Sequence, residues 1–416
     1  MLDLKAIRVD PAPVRAALAR RRDGSDERLD RALELDARWR ALTAEVEDLR
    51  ARRRTHSEAI GRAKKAGEDA GGAIAEMQEL SPRLKALEEE LSALEAERQQ
   101  LVASLPNPPD PAAPDEDEVL REVGEAGRTG RDHLELADRL IDMEAGARVA
   151  GSRFAYLKGD LVLLEMALVR WALERLGAHG FEPVIPPVLV REEALFGTGF
   201  LPDTEQQIYA LADDALYLAG TSEVALASLH AGEIVDGERL PLRYAGFSPC
   251  FRREAGAAGR DTRGIFRVHQ FDKLEMFSFV EPDAARDEHE RLLAIEEELL
   301  QALEIPYRVV NIAVHDLGAS AAKKYDLEAW MPGQANYREV TSTSNTTDFQ
   351  ARRLDVRYRG SGGKPAHVAT LNGTAVTWRH MIAILENGQQ DDGSVALPGV
   401  LREWGAPAVL RVGAGA

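Results

Sequence analysis

The sequence predicts an α+β protein in which a long antiparallel helical hairpin precedes a domain built on antiparallel β-strands. Two runs of heptad-spaced apolar residues flank a glycine-containing break at residues 67–72, a pattern typical of two helices that pack against each other. A proline-rich and acidic segment at residues 106–118 can neither continue a helix nor enter the interior of a sheet. Residues 242–279 hold two β-favouring runs on either side of a charged loop. We therefore expect an N-terminal domain at 1–105, a linker at 106–118 and a second domain at 119–416.

The composition is typical of a globular protein and excludes several classes. Hydrophobic residues make up 44% and charged residues 29% of the 416-residue chain. The single cysteine excludes an internal disulfide and a cysteine-rich zinc site. No apolar run reaches the length of a membrane span and the start lacks a signal-peptide layout, so we expect a cytoplasmic protein. The net charge of −18 argues against nucleic-acid binding by the whole surface, so any RNA contact must come from a local basic patch.

The helical arm is indicated by apolar positions that recur alternately four and three residues apart. The first run extends from Leu35 to Leu49, and Arg53, His56 and Ile60 continue its register. A second run restores the spacing at Leu80, Leu84, Leu87, Leu91, Leu94 and Leu101. With about 35 residues per helix at about 1.5 Å each, the hairpin should be about 50 Å long.

The two helices of the arm carry opposite charges. The second is acidic at residues 88–97, whereas the distal half of the first is basic at Arg50, Arg52, Arg53, Arg54, Arg62, Lys64 and Lys65. A basic arm on an acidic protein can bind RNA phosphates while the rest of the protein stays clear of them. The alternative is a coiled coil with solvated charged faces, as in many assembly proteins.

The stretch from Leu242 to Phe279 predicts a strand, a charged connector at 255–264 and a return strand at 265–279. The strand ends bring Arg252, Glu254, Phe271 and Glu275 into one neighbourhood. An arginine suits phosphate and a phenylalanine ring suits a base, so this group favours a nucleotide site. The alternative is a surface hairpin with scattered ion pairs.

The spacing within this stretch resembles motif 2 of the class II aminoacyl-tRNA synthetases, in which F-R-x-E, a loop and R-x-x-x-F follow one another. Here the final element runs from Arg267 to Phe271. The sequence FRREAGAAGRDTRG, followed by HQFDKLE, is similar to the corresponding sequence of the seryl-tRNA synthetases in particular.

Three further segments agree with that resemblance. The amphipathic helix from Leu161 to Leu176 and the strand with Val184 and Pro187 resemble motif 1, which implies a homodimer. Thr221-Ser222-Glu223 resembles the loop that contacts serine, although a helix N-cap is the commoner meaning of such a tripeptide. The run from Leu371 to His380 resembles motif 3, whose arginine here is Arg379, but Thr374 departs from the usual wording and leaves the alignment of 375–378 open.

The resemblance implies a serine–tRNA ligase that uses ATP and Mg²⁺, with L-serine and tRNA(Ser) as partners. It implies ATP contacts at Arg252, Arg253, Glu254, Val268, Phe271, Glu339, Val340, Thr341, Ser342 and Arg379. It implies serine contacts at Thr221, Ser222, Glu223, Arg252, Glu275 and Thr374. The expected catalytic residues are Arg252, Glu339 and Arg379. Glu339 and Ser342 would bind the metal, because carboxylate and hydroxyl oxygens suit a magnesium–triphosphate complex.

Two other functions remain possible at this point. A paralogue could activate serine for a carrier protein or another acceptor, and a coiled-coil assembly protein would have no enzymatic activity. Whether a selenocysteine tRNA is charged as well is open. The sequence contains neither a P-loop nor a dinucleotide-binding glycine motif.

Overall fold

A computed structural model describes residues 2–202, 207–255, 263–360 and 363–411. The chain divides into two compact units, Met1–Leu105, which we call the arm unit, and Pro106–Ala416, which we call the sheet unit. Residues 256–262 of the charged connector predicted at 255–264 lie outside the described residues, as do residues 361–362. Within the described residues, no helix is both long enough and apolar enough to cross a membrane.

The arm unit is helical, and two of its helices form the predicted antiparallel hairpin. Its elements are α1 (Leu4–Ile7), α2 (Ala12–Ala19), α3 (Ser25–Ala66) and α4 (Gly71–Ala103). Glycines with positive φ bound α3: Gly24 at 75° and Gly67 at 71°. Residues without a Cβ adopt this left-handed conformation at little cost, so Gly67 ends the helix and starts the turn.

The heptad residues pack between α3 and α4 as the spacing predicts. Val46 and Leu49 meet Leu80 and Leu84 in one buried cluster, and a second cluster is formed by Leu35, Leu42 and Leu94. The pattern weakens towards the turn, where Arg53 is exposed although it keeps the register. The hydrophobic contact therefore holds the base of the hairpin, and the distal half presents charged side chains to solvent.

The sheet unit contains eight α-helices and eighteen strands among the described residues. The helices are α5 (His133–Leu136), α6 (Met143–Ala150), α7 (Asp160–Ala178), α8 (Glu192–Thr198), α9 (Glu223–Ala227), α10 (Ala285–Ala302), α11 (Phe349–Leu354) and α12 (Trp378–Asn387). The strands are β1 (Glu118–Val123), β2 (Ile141–Asp142), β3 (Tyr156–Leu157), β4 (Glu182–Val184), β5 (Leu189–Val190), β6 (Tyr209–Leu211), β7 (Leu216–Leu218), β8 (Ile234–Asp236), β9 (Leu242–Phe251), β10 (Gln270–Val280), β11 (Tyr307–Asn311), β12 (Lys323–Met331), β13 (Asn336–Asn345), β14 (Arg357–Arg359), β15 (Ala366–His367), β16 (Ala369–Thr377), β17 (Val395–Ala396) and β18 (Val409–Leu410).

The main sheet, as far as the chain is described, has eight strands in the order β1-β11-β12-β13-β16-β10-β9-β4. Its pairs are antiparallel except β4 with β9. Leucines of α7, α10 and α12 form one large core with the residues of β10 and β16 that face them. Side chains alternate between the two faces of a strand, so the helices cover one face and the other face is left for a site.

The predicted hairpin at 242–279 is present, with one correction to its return strand. β9 and β10 pair antiparallel from Phe251 opposite Gln270 to Leu242 opposite Phe279. Residues 265–269 were expected to be strand but form an irregular segment, and β10 begins at Gln270. The apolar side chains in that segment are buried nonetheless, Phe266 and Val268 among them, which explains why their alternation resembles a strand.

Two β-bulges interrupt the sheet beside this hairpin. Leu327 of β12 pairs with Thr341 of β13, and the next residue of β12 pairs with Glu339, so Val340 has no partner of its own. Leu274 of β10 pairs with Val376 of β16, and the next residue of β10 pairs with Thr374, so Ala375 is the extra residue in β16. A bulge shifts the alternation of side chains by one residue, and both shifts lie where the site residues were expected.

The linker segment is packed onto the sheet unit. Asn107 is 4% exposed, and its Nδ2 donates hydrogen bonds of 2.9 Å to the carbonyl oxygens of Ser320 and Thr346. The backbone N–H of Asp110 donates to the carbonyl of Ala322. The segment therefore has no regular structure before β1, as its prolines predict, but it is fixed by hydrogen bonds.

Candidate active site

A cavity of about 400 Å³ opens on the face of the main sheet that α7 and α10 do not cover. Strands β9, β10, β13 and β16 form its floor, and the start of α12 and the loop before α9 form its walls. Most of the predicted site residues line it: Thr221, Glu223, Arg252, Glu254, Val268, Phe271, Glu275, Glu339, Val340, Ser342, Thr374 and Arg379. The structure thus gathers residues from positions 221 to 379 into one site.

Arg252 and Phe271 lie side by side at the end of the β9–β10 hairpin. The guanidinium carbon of Arg252 is 5.3 Å from the centre of the Phe271 ring. Its Nε donates to the carbonyl oxygen of Gly220 at 3.1 Å, and its backbone N–H donates to His269. These contacts fix the stem of Arg252, so its remaining N–H groups can serve an anionic ligand beside an aromatic face.

Glu254 and Arg267 close one side of the cavity with an ion pair. Glu254 has a φ of 50°, which turns its carboxylate towards Nη1 of Arg267 at 2.5 Å. Val268, beside them, is buried. Arg253 is placed differently: its backbone N–H donates to the carbonyl of Gln207, and it does not belong to the cavity lining.

The bulge at Val340 decides which side chains of β13 face the cavity. A regular strand would place Glu339 and Thr341 on one face and Ser342 on the other. With the bulge, Glu339 and Ser342 both line the cavity. Thr341 instead donates from Oγ1 to Glu296 Oε2 at 2.8 Å on the helix-covered face. A ligand contact through the Thr341 side chain therefore has no support from its placement.

Glu339 and Ser342 suit a magnesium ion that takes its other ligands from a substrate. The Glu339 side chain is 45% exposed towards the cavity, and a carboxylate plus one hydroxyl are the oxygen donors that Mg²⁺ binds together with phosphates and water. Among the described residues no cluster of three or more acidic, histidine or cysteine side chains forms a closed metal cage. The donor set therefore fits a metal carried in with a phosphate ligand.

Arg379 sits in the first turn of α12, where the chain offers a capped helix start. Thr377 Oγ1 accepts from the Arg379 N–H at 3.0 Å, and the His380 Nδ1 accepts from the Thr377 N–H, which completes a capping box. The Arg379 Nη1 lies 3.2 Å from Glu339 Oε1. Partial burial acts to raise the pKa of Glu339, but the cations of Arg379 and Lys324 outweigh it and hold that pKa below its usual value.

A deeper part of the cavity holds Glu275, which is fully buried. Its Oε2 lies 2.6 Å from the Lys273 ammonium, and its Oε1 accepts from Asn372 Nδ2 at 3.0 Å. Thr374 donates to Oε2 at 3.4 Å, because the bulge at Ala375 sets Thr374 directly opposite Glu275. Ala375 is the extra residue of that bulge.

Glu223 lies beside Glu275 and is almost completely buried. Its Oε1 accepts from Gln350 Nε2 at 2.8 Å. Burial and the negative charge of Glu275 raise the pKa of Glu223 to about 7. Ser222 is the N-cap of α9, and its hydroxyl donates to Gly246 O at 3.1 Å, so it supports the loop and does not line the cavity.

Four residues that were not predicted also contribute to the site. Lys273, Asn372 and Lys324 line the cavity, and Gln350 contacts Glu223. Lys273 could have been found, because it lies two residues from both Phe271 and Glu275 on one strand face. Gln350 could not, since it reaches Glu223 across 127 residues of sequence. Only the tertiary fold brings that amide to the Glu223 carboxyl.

The basic residues of the arm are exposed along α3. Arg50 is engaged with Glu88 of α4, with 2.8 Å between Nε and Oε1. All the predicted tRNA-binding residues are exposed: Arg50, Arg52, Arg53, Arg54, Arg62, Lys64 and Lys65.

Comparison with known proteins identifies the two parts of the chain separately. Residues 1–109 match the family described as the seryl-tRNA synthetase N-terminal domain. Residues 209–388 match the tRNA synthetase class II core domain (G, H, P, S and T). The helical hairpin and the antiparallel sheet thus occur in the order that the sequence predicts.

Full-length relatives and solved structures agree with these matches. The chain is 50% identical to a serine–tRNA ligase of Thermobifida fusca and 51% identical to one of Nocardia farcinica, in each case over 99% of both chains. The structure of a seryl-tRNA synthetase from Pyrococcus horikoshii complexed with ATP superimposes with a TM-score of 0.91 at 42% identity, over 99% of both chains. The predicted resemblance is therefore confirmed, and the chain belongs to the seryl-tRNA synthetase family of class II aminoacyl-tRNA synthetases.

Proposed function

We propose that this chain is a serine–tRNA ligase, which joins L-serine to the 3′ end of tRNA(Ser) at the expense of ATP. The observation that carries the proposal is a cavity with two chemically different ends. Arg252, Arg379 and Phe271 at one end suit a nucleotide, whereas Glu223 and Glu275 at the other suit an ammonium group. An amino acid and ATP bound together would meet near Arg252.

In the first step the serine carboxylate would attack the α-phosphorus of ATP, giving seryl-adenylate and pyrophosphate. We assign Arg252 to the α-phosphate and the serine carboxylate, and Arg379 to the γ-phosphate. Phe271 would stack on the adenine, with Glu254 near the base or ribose. The protein does little covalent work in such a step, so positioning and charge neutralisation supply most of the acceleration.

A magnesium ion held by Glu339 and Ser342 would neutralise phosphate charge. The low pKa of Glu339 supports this assignment, because the carboxylate is charged at neutral pH beside Arg379 and Lys324. Arg379 and Glu339 lie close enough to pair with each other before any ligand binds. A metal–triphosphate complex would satisfy both groups at once.

Serine would be selected by the buried polar groups at the deep end. Glu275 and Thr374, together with Thr221 and Glu223, would bind its ammonium and hydroxyl groups. Alanine would leave these groups unpaired, which costs much more than the loss of one methylene from an apolar pocket. Threonine would have to be excluded by the shape of the cavity.

In the second step the terminal adenosine hydroxyl of the tRNA would attack the adenylate. We assign binding of the tRNA body to the exposed basic residues of α3. Residues Val162, Leu163 and Met166 of α7 are partly exposed apolar side chains, which supports a homodimer through the motif 1 helix and its strand. We expect the protein to act in the cytoplasm.

Serine-dependent ATP–pyrophosphate exchange, followed on the same sample by charging of total tRNA, tests the proposal. Exchange with charging is the expected result. Exchange without charging would reassign the protein to a paralogue that activates serine for another acceptor. If no amino acid supports exchange, the enzymatic proposal fails. Adding purified selenocysteine tRNA to the charging assay decides whether that tRNA is a second substrate.

A further inference from the structure

A pair of acidic residues lies behind the cavity, on the helix-covered face of the main sheet. Glu165 of α7 is 6% exposed, and its Oε1 accepts from Trp378 Nε1 at 2.6 Å. Asp272 of β10 lies within hydrogen-bonding reach of the same carboxyl. All three side chains line a small cavity of about 10 Å³. None of the roles assigned above uses Glu165 or Asp272.

Two carboxyl groups can hydrogen bond to each other only when one of them carries a proton. The cations next to these residues in sequence are engaged elsewhere. Lys273, next to Asp272 on β10, contributes to the lining of the small cavity, but its ammonium lies 2.6 Å from Glu275. Arg379, next to Trp378 on α12, donates to the carbonyl oxygen of Glu339.

Among the described residues, the other elements that line the small cavity contribute no further charged side chain. On β9, Pro249 lies opposite Asp272. On β16, Val376 and Thr377 line the small cavity, and on α12 so does Met381. Burial and the negative charge of Asp272 raise the pKa of Glu165 to about 8, against the opposing effect of the Trp378 hydrogen bond. Burial likewise raises the pKa of Asp272.

We propose that Glu165 and Asp272 share one proton and together position Trp378 in the wall of the active-site cavity. Trp378 lines both cavities, so its ring separates the carboxyl pair from the site. It also immediately precedes Arg379 at the start of α12. A hydrogen bond that fixes the indole therefore fixes the first turn of the helix that presents the arginine. The effect on ATP binding rests on the role proposed for Arg379; the shared proton does not.

Loss of the shared proton sets two negative charges in contact inside a poorly solvated site. The contact between α7 and β10 then loosens, and the indole loses its fixed partner. The folded protein holds this proton at pH values where the unfolded chain has released it. The pair's contribution to stability therefore falls as pH rises from the unfolded carboxyl pKa of about 4 towards the folded value of about 8.

The kinetic test compares wild type with Glu165→Gln in ATP–pyrophosphate exchange from about pH 6 to pH 9, on either side of the pKa of about 8. In wild type the ATP KM should rise about tenfold over this range, whereas the serine KM should not rise, because loss of the Glu223 proton near pH 7 strengthens serine binding. Glu165→Gln should abolish the rise, because the amide oxygen still accepts from Trp378 and carries no charge. Glu174→Gln, an exposed position on the same helix, should follow wild type. A Glu165→Gln profile that matches wild type would overturn the proposal.

A spectroscopic test does not depend on catalysis. Infrared difference spectra between pH 6 and pH 9, spanning the folded pKa of about 8, should show a protonated-carboxyl carbonyl band that disappears at high pH. Glu223, whose pKa is about 7, also loses its proton over this range, so the signal of the pair is the part of the wild-type band that is missing from both Glu165→Gln and Asp272→Asn and kept in Glu174→Gln. If both variants show the full wild-type band, or wild type lacks it, the shared proton is refuted. If the protein shows the band but no exchange activity, the proposed function fails while the pair stands.

Discussion

At the scale of single residues, the deep end of the cavity holds two buried carboxyl groups, those of Glu275 and Glu223. Glu275 is completely buried, and Lys273, Asn372 and Thr374 supply it with a cation and two hydrogen-bond donors. A buried carboxylate is tolerated only with such partners. Glu223, beside it, accepts a hydrogen bond from a neutral amide, Gln350. Burial and the charge of Glu275 raise the pKa of Glu223 to about 7, so the charge of Glu223 changes near neutral pH.

Replacing Glu275 with alanine should raise the serine KM much more than the ATP KM. The change removes the buried carboxylate that we assign to the serine ammonium and leaves Lys273 without its partner. A loss of about 3 kcal/mol, typical when one member of a buried pair is removed, corresponds to a KM increase of roughly a hundredfold. Exchange kinetics with each substrate varied in turn give both values. Equal changes in the two KM values would rule out the assignment.

Serine binding should weaken as the pH falls below about 7. The pKa of Glu223 is raised to about 7 by burial and by Glu275, so in the empty site this carboxyl is largely protonated below that pH. An arriving ammonium favours the charged form, and its binding must then release the proton. The serine Kd should rise by up to about tenfold per pH unit below the pKa.

Calorimetry in buffers of different ionisation enthalpy measures this release directly. Wild type should release close to one proton per serine bound at about pH 6, below the pKa of about 7. Glu223→Gln should bind serine more weakly and release none. Glu174→Gln serves as the control, because that side chain is exposed on α7. A Glu223→Gln variant with an unchanged pH dependence would assign the proton to another group.

At the scale of secondary-structure elements, periodicity explains what the sequence could predict and what it could not. The heptads of α3 and α4 depend on contacts between neighbouring turns, so the hairpin and its clusters follow from spacing alone. The bulges at Val340 and Ala375 add one residue without a signal in composition, and they reverse the facing of every later side chain. Thr341 was therefore expected in the site and faces the helices, whereas Ser342 reaches the cavity.

The site itself was predictable where residues lie close in sequence. Arg252, Phe271 and Glu275 belong to one hairpin, and pairing of its strands suffices to bring them together. Gln350 and Lys324 come from distant elements, and only the closed sheet with its flanking helices places Lys324 at the cavity and Gln350 against Glu223. The prediction of a strand at residues 265–269 was wrong. Alternate side chains of this segment are buried without any strand pairing, and the sequence pattern is then the same as that of a β-strand.

The strand junction beneath the cavity leaves no room for a side chain at Gly373. A Cβ there would come within 2.9 Å of Glu296 Oε1 and 3.2 Å of Met276 Cε. Gly373→Ala should therefore reduce the free energy of unfolding by about 1–3 kcal/mol, the usual cost of overpacking a filled core. Denaturant unfolding followed by circular dichroism measures the change.

Gly177→Ala provides a control of opposite sign. Gly177 lies in α7 with a helical conformation, and an added Cβ would meet nothing within 4 Å. Alanine is a better helix former than glycine, so this variant should gain up to about 1 kcal/mol. Equal stabilities for the two variants would show that the junction around Gly373 relaxes and that the packing argument is wrong.

At the scale of the whole molecule, charge is distributed unevenly over an acidic protein. The net charge is −18, yet the distal half of α3 presents a run of exposed cations. Such a distribution repels a polyanion from most of the surface and admits it where the cations are. It also predicts that the arm and the cavity can be impaired separately.

Reversing the charges at Arg52, Arg53 and Arg54 should reduce aminoacylation and spare serine-dependent ATP–pyrophosphate exchange. All three side chains are exposed, so the helix should tolerate glutamate there, and the cavity lies in the other compact unit. Each lost phosphate contact weakens RNA binding and lowers its dependence on salt. The KM for tRNA should rise by at least about tenfold at moderate salt, because three favourable contacts become repulsive.

A control with the same change in net charge separates a local contact from the field of the whole protein. Arg286, Arg359 and Arg402 are exposed arginines of the sheet unit, and reversing them alters the total charge equally. If the arm binds the tRNA body, only the arm variant loses charging, and its tRNA KM depends less steeply on salt than that of wild type. If both variants lose charging equally, net charge and not the arm governs the encounter. Loss of exchange in the arm variant would show that the two units do not act separately.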